Sequence, residues 1–297
     1  MLPLFHIYFT LKGKFSKNNS YYSPFYLTTF CFFLFFNIEA QTVIKGKIVF
    51  ADNSPAAFVS LSLKHQSIGK LADKSGKFKF YIPENAMNDT LMISSIGHRT
   101  LSLSVFQASK MDLFMLEDSI QNMGIISVSG YRTARVVGSY EESAAYLRSW
   151  NTANTGGEIG REFTMPEKPY ILEKVRFKIS NRCDSCLIRL HIRKMQYSNP
   201  GEELLKDSIS IIVINQSLDE KSPEFDLTPY NIELKNKFIF VGMEVLHCNS
   251  IENPNNCSLC FVGTEHGNYL YKTSLKNDWD SFNDYNIYMK LFYSTVE

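Results

Sequence analysis

From Thr42 onward, apolar and polar side chains alternate with a period of two along one short segment after another, the spacing of half-buried β-strands. In "TVIKGKIVF" one face carries Ile44, Ile48 and Phe50. In "KFKFYIP" it carries Phe78, Phe80 and Ile82, with Lys77 and Lys79 turned the other way. "DTLMISSIG" and "TLSLSV" follow, divided at Gly97, and "KMDLFML" and "GIISVSG" close the set. Turn-forming stretches, "ADNSP", "DKSG" and "PENAMND", separate them. Strands this short at this spacing predict an antiparallel sandwich rather than βαβ units.

The period fails over residues 131–157, where the only weak helix candidate lies near Glu141 to Trp150, so residues 130–156 read as a connector. Alternation then returns. "LEKVRFKIS" places Val175, Phe177 and Ile179 on one face, and "CLIRLHIRKM" places Ile188, Leu190 and Ile192 there. His191 alternates outward with Arg189 and Arg193, the pattern of an exposed strand face. With "DSISIIVI", "KFIFVGMEVL", "CFVG" and "NIYMKLFY", residues 157–297 form a second all-β unit, expected to be a sandwich of jelly-roll type, with no repeat at solenoid spacing.

The first forty residues differ. Lys12, Lys14 and Lys17 precede the apolar run "YLTTFCFFLFF", which ends at Phe36, and small Ala40 follows in "NIEAQT". That is the layout of a signal peptide over residues 1–40, with the mature chain starting near Gln41. The run is about a dozen residues, short of the ~20 that span a bilayer. Cys31 lacks the small residues that precede a lipidated cysteine. No other segment approaches a span, so no membrane span is expected in the mature chain.

Lys plus Arg total 31 against 30 acids, a formal net charge of +1. The basic residues are scattered among acids, so nucleic acid is not an expected partner, and the overall charge gives no pull toward an anionic membrane. The 297 residues suffice for two domains, and 23 Phe with 16 Tyr mark a globular chain.

The first unit also resembles a known family. Gly46, Ile48, Pro55, Val59, Asp73, Gly76, Phe78, Ser94, Gly97 and Thr100 fall on the hallmarks of the carboxypeptidase-regulatory-like domain of exported bacterial proteins. These are a G-x-V opening strand, a P-x-x-x-V second strand, a D-x-x-G-x-F hairpin and an S-x-x-G-Y-x-T turn. Ile48 stands for the valine, and His98 for the usual aromatic. The resemblance covers roughly Val43 to Ser129, within a first domain of residues 42–129, and implies a transthyretin-like β-sandwich that is not itself catalytic. Elementary turn chemistry agrees: Asp73 can bond its own turn, and Gly76 supplies a positive φ. The remainder resembles, more weakly, a companion domain seen in short members of the group. It is too short for the barrel of the TonB-dependent receptors that carry this module.

Candidate chemistry is sparse. A zinc carboxypeptidase needs His-x-x-Glu, and none of His65, His98, His191, His247 and His266 has Glu three residues on. No G-x-S-x-G, P-loop or G-x-G-x-x-G occurs, so no cofactor is expected. Asp278, Asp280 and Asp284 alternate around Trp279 but lack the glycine and terminal Glu of a calcium loop, and read as a solvated hairpin. Adjacent Glu141 and Glu142 would diverge on a helix.

The cysteines stand out. Cys183 and Cys186 form one Cys-x-x-Cys pair, Cys257 and Cys260 another, and Cys248 lies nearby. Zinc, disulfides and free buried thiols are the alternatives. Export favours disulfides, and a redox motif would need a helix start where these pairs abut strands. Cys248 and Cys257 would face each other across a hairpin neck. One of Cys183 and Cys186 would meet Cys260, expected to point inward with Val262, if their strands adjoin. No metal is expected. The whole reads as an exported, non-enzymatic protein of a Gram-negative envelope, periplasmic or outer-membrane associated. It would bind or scaffold an unknown envelope protein or glycan; a hydrolase with its site in the second domain is the rival.

Overall fold

A computed structural model describes residues 42–66, 68–119, 132–139, 146–151, 156–216, 222–250, 257–273 and 278–296. The segment read as a signal peptide, Glu141 and Glu142, and the strand "GIISVSG" lie outside the described residues. From Gln41 to Glu297 the chain is one compact unit, and it is all-β. Among the described residues, no helix is long and apolar enough to cross a membrane.

The first sandwich is built from β1 (Thr42–Phe50), β2 (Ser60–Leu63), β3 (Gly69–Leu71), β4 (Lys77–Ile82), β5 (Thr90–Ser94), β6 (Leu101–Ser104) and β7 (Leu113–Leu116). One short helix, α1 (Val105–Ala108), is capped by Ser104 and Gln107 in a reciprocal box. One sheet has the order β4-β1-β7 and the other β3-β2-β5-β6. Pairing is antiparallel except between β1 and β7, which run parallel. The alternation expected of β4 holds residue for residue: Phe78, Phe80 and Ile82 are buried, and Lys77, Lys79 and Tyr81 are exposed. Their core partners include Ile44, Ile48, Leu61, Ile93 and Phe114. In the preceding turn the Asp73 carboxylate accepts from the backbone N–H of Ser75 at 2.8 Å and of Lys77 at 2.9 Å, and Gly76 has φ +75°.

The second sandwich begins earlier than its expected boundary. β8 (Arg132–Gly138) and β9 (Tyr146–Asn151) fall in the stretch read as a connector, yet both are paired strands. β10 (Glu158–Thr164), β11 (Tyr170–Phe177), β12 (Ile179–Gln196), β13 (Asn199–Glu203), β14 (Ser210–Gln216), β15 (Glu224–Asp226) and β16 (Ile232–Leu234) follow. The chain ends with β17 (Phe238–Asn249), β18 (Ser258–Glu265), β19 (Tyr269–Lys272), β20 (Asp280–Phe282), β21 (Tyr285–Ile287) and β22 (Met289–Val296). A ten-stranded sheet, β20-β19-β10-β17-β12-β18-β21 with β9, β13 and β14 beside it, packs on a five-stranded sheet, β15-β11-β22-β8 with β16. Ile188, Leu190 and Ile192 of the large sheet meet Val175, Phe177 and Leu291 of the small one in a common core.

The helix candidate near Trp150 is corrected by β9. Trp150 lies opposite Leu259 and sets its ring edge-on against Phe261, so tertiary burial of one large aromatic outweighs the local helix preference. Trp279, in the stretch read as a solvated hairpin, packs edge-on against Phe240.

Candidate functional site

The outward face of the ten-stranded sheet is where charge collects. Register places Lys272, Glu158, Glu244 and Arg189 side by side across β19, β10, β17 and β12. Two carboxylates directly opposite each other repel. The sheet compensates by putting a cation outside each: Lys272 Nζ is 3.2 Å from Glu158, and Arg189 Nη1 is 3.4 Å from Glu244. In the next row the two strands carry Gly160 and Gly242, opposite His191 on β12. A Cβ on Gly242 would stand 2.7 Å from the Glu158 carboxylate. The bare backbone therefore gives that carboxylate room to meet Arg193 on β12, whose Nη2 is 3.1 Å from Glu158 Oε2.

His191 completes the cluster. Its Nδ1 lies 2.6 Å from Glu203 on β13, and its Nε2 lies 2.9 Å from Glu244. Both nitrogens face carboxylates, an arrangement satisfied by the imidazolium donating on both sides. Burial works against that charge, but Glu158 and then Glu203 outweigh both burial and the repulsion of Arg193, and the pKa of His191 is raised. Burial likewise disfavours ionised Glu158, yet Arg193, His191 and Lys272 hold it well below the usual carboxylate range. For Glu244, burial and the repulsion of Glu158 are overcome by Arg189 and His191, and its pKa is lowered.

This floor is covered by the first sandwich, which corrects the expectation that His191 is an exposed strand residue: His191 is 5% and Arg189 4% accessible. The alternation put 189, 191 and 193 on the face opposite the core, as observed, but could not say that a second domain lies on that face. A pattern of three ionisable residues at period two along an 18-residue strand was the signal available.

Between the two sandwiches lies a cleft of ≈ 430 Å³. Its opposite wall is hydroxylic. Ser60, Ser62 and Ser94 project from β2 and β5, on the side away from Leu61, Leu63 and Ile93, and Ser95, Thr100 and Ser119 line it too. The turn after β5 docks the domains. Ile96 inserts into the core of the second sandwich, and Gly97, at φ +80°, approaches so closely that a Cβ would meet the Lys206 carbonyl at 2.1 Å. Arg189 Nη2 donates to the Phe58 carbonyl at 2.8 Å, while its buried Nε has no protein acceptor. His98 also lines the cleft, stacked on Phe50 at 4.2 Å as an aromatic would be. Its Nδ1 meets the Ile96 carbonyl at 2.9 Å and its Nε2 meets Asp118 at 3.4 Å.

The cysteines sit apart from this cleft's lining. Cys183 is bonded to Cys257 and Cys186 to Cys248, while Cys260 is free. This corrects the expected pairing of Cys248 with Cys257 and the expected bond to Cys260. β17 and β18 do not pair with each other: β12 runs between them, offering Cys186 directly opposite Cys248 and Cys183 to Cys257 on the other side. Cys260 lies opposite Ser180, on the side away from Leu259 and Phe261, which face the core. The Sγ atoms of Cys183, Cys186 and Cys248 lie within 4.8 Å of one another, a metal-compatible spacing whose sulfurs are here consumed in disulfides.

Residues 44–134 match the family model of the CarboxypepD_reg-like domain. The first sandwich is a carboxypeptidase-regulatory-like domain. Its S-x-x-G turn, Ser94 to Gly97, is the element that docks into the second sandwich. No curated protein matches the chain. Among solved structures, it is similar to TmCBM61 in complex with beta-1,4-galactotriose, at 18% identity and TM-score 0.25, over 53% of this chain and 87% of that one. It is also similar to the Gt strain of infectious bursal disease virus, at 9% identity and TM-score 0.30, over 87% of this chain and 67% of that one. A match to the Gx strain has 9% identity and TM-score 0.24, over 86% of this chain and 55% of that one.

Proposed function

We propose that this is a non-catalytic, exported binding protein of a bacterial cell envelope, which holds a polyhydroxylated ligand, an envelope glycan, in the cleft between its two sandwiches. The observation that carries this reading is the make-up of the two walls. One offers hydroxyls from Ser60, Ser62, Ser94, Ser95 and Thr100; the other offers charged groups already held in place by one another. Hydroxyls recognise hydroxyls by exchanging donor and acceptor roles, and fixed charged groups make the stronger, orienting bonds. The buried Arg189 Nε–H, without a protein acceptor, supplies one more donor beside the cleft.

The rival hydrolase reading needs a poised base. Both nitrogens of His191 are engaged by carboxylates, and those of His98 by a carbonyl and Asp118, which leaves neither imidazole free to take a proton from a serine hydroxyl. Export is supported by the layout of residues 1–40 and by a chain that suits an oxidising compartment, with two disulfides. Fractionation of the host with crosslinked co-purification, followed by N-terminal sequencing, tests location and partner together. A chain beginning near Gln41 in the envelope fraction, crosslinked to glycan or a glycan-bearing component, is expected; a cytoplasmic chain retaining Met1 refutes export.

A further inference from the structure

The sheet β4-β1-β7 turns one face to the first core and the other to solvent, and that outer face carries no acidic side chain on its strands. Register sets Lys45 opposite Lys79 and Lys47 opposite Lys77, a square of four like charges on neighbouring strands. Like charges placed directly opposite each other destabilise a sheet. Among the described residues none of the four forms an ion pair; Lys79 Nζ lies 4.9 Å from the Tyr81 ring, and Lys77 feels the turn carboxylate of Asp73. Among the described residues only the Tyr81 ring and the Asp73 carboxylate offset part of that local cost, and the overall charge of +1 conceals a square of four positive charges.

Apolar side chains border the square. Val43 and Tyr81 pair at one end, 37% and 48% accessible, and Leu113 and Met115 flank it on β7, 52% and 46% accessible. This is the reverse of a protein–protein interface, which keeps its apolar residues central and its charges at the rim. Burying a central square of ammonium groups against a protein would strip them of water at high cost. A phospholipid headgroup layer keeps them hydrated while supplying phosphates, and admits apolar side chains at its acyl boundary.

We propose that this face docks the protein onto an anionic phospholipid surface, with the four ammonium groups meeting headgroup phosphates and the bordering apolar side chains resting at the acyl boundary. The cleft belongs to the other sheet of the sandwich, so the docked protein keeps it open to its ligand.

Flotation of the full chain with vesicles decides this. The N-terminal segment, an apolar run preceded by Lys12, Lys14 and Lys17, is common to the native and variant chains, so the readout is the gain on phosphatidylcholine carrying about 30% phosphatidylglycerol over phosphatidylcholine alone, compared between the native chain and Lys45→Gln/Lys47→Gln/Lys77→Gln/Lys79→Gln. The native chain is expected to show a gain that falls by roughly 100- to 1,000-fold in the variant, each lysine near an anionic surface contributing about fivefold. Melting curves of both chains check folding. Should the quadruple variant not fold, Lys45→Gln/Lys79→Gln is expected to lose roughly 30-fold. Equal gain in native and variant chains, or no gain on the anionic vesicles, overturns the proposal. So does lysine-dependent capture on polyglutamate without any vesicle preference, which would assign the face to an acidic protein.

Discussion

Replacing Arg189 with Met isolates the buried charge layer. Methionine keeps most of the aliphatic stem, so the loss is the guanidinium alone. Glu244, 3% accessible, would then keep His191 at 2.9 Å but face the Glu158 carboxylate without its outer cation. Breaking a buried pair from one side typically costs about 3–5 kcal/mol. The Phe58 carbonyl also loses its 2.8 Å donor, worth about 1–3 kcal/mol if it stays dry, though the cleft admits water and keeps this second share at its lower end. The expected loss is therefore about 4–6 kcal/mol at neutral pH. Urea unfolding of native and variant chains at matched pH gives the number. Adding Glu244→Gln to Arg189→Met should recover roughly half of it, because neither charge is then left alone. A loss below about 1 kcal/mol, or a double variant no better than the single one, would refute the view that this layer is tightly coupled.

Three further outcomes follow from the same geometry. Mass spectrometry without reductant should find Cys183 linked to Cys257 and Cys186 to Cys248, with Cys260, among the cysteines of the described residues, open to alkylation after unfolding; a Cys248–Cys257 link would contradict the strand order. Phe78→Ala should cost about 3–5 kcal/mol, since Phe78 is buried against Phe114, and a cost under about 1 kcal/mol would mean the assigned face is wrong. Stability should depend on pH through the cluster. Glu158 and Glu244, lowered from 4.5, stabilise above that value and lose their contribution as pH falls, whereas His191, raised from 6.5, contributes fully below 6.5 and loses its share as pH rises through its elevated folded value. Thermal melts from acid to alkaline pH should show the alkaline decline in the native chain and not in His191→Gln, and identical profiles would remove His191 from the account.

What the chain discloses before folding is the local half of the structure. The faces of β4 and β12 were legible because a period of two is a property of the strand alone, and the Asp73 turn because its carboxylate bonds within four residues. Strand order was not. That β12 separates β17 from β18, and so redirects Cys248 away from Cys257, depends on pairings between residues more than sixty positions apart. The candidate site failed to show for the same reason. Arg189, His191 and Arg193 look like a solvated face until strand pairing sets Glu158, Glu203 and Glu244 beside them and Ile96 and Gly97 bring the first sandwich over them. The strands β8 and β9 were hidden differently: their partners, β22 and β18, lie at the far end of the chain, and their own alternation is weak.

The central claim is that the cleft between the sandwiches is a binding site for a hydroxylated ligand. Backbone amide NMR of the isotope-labelled protein, titrated with soluble glycan fragments released from the host envelope, tests it directly. The account predicts saturable shifts confined to the cleft walls, at Ser60, Ser62, Ser95, Lys206 and Lys272, which weaken when Ser62 and Ser95 are both replaced by Val. Saturable shifts elsewhere on the protein with these residues unmoved, or no shift with any fragment, would contradict it.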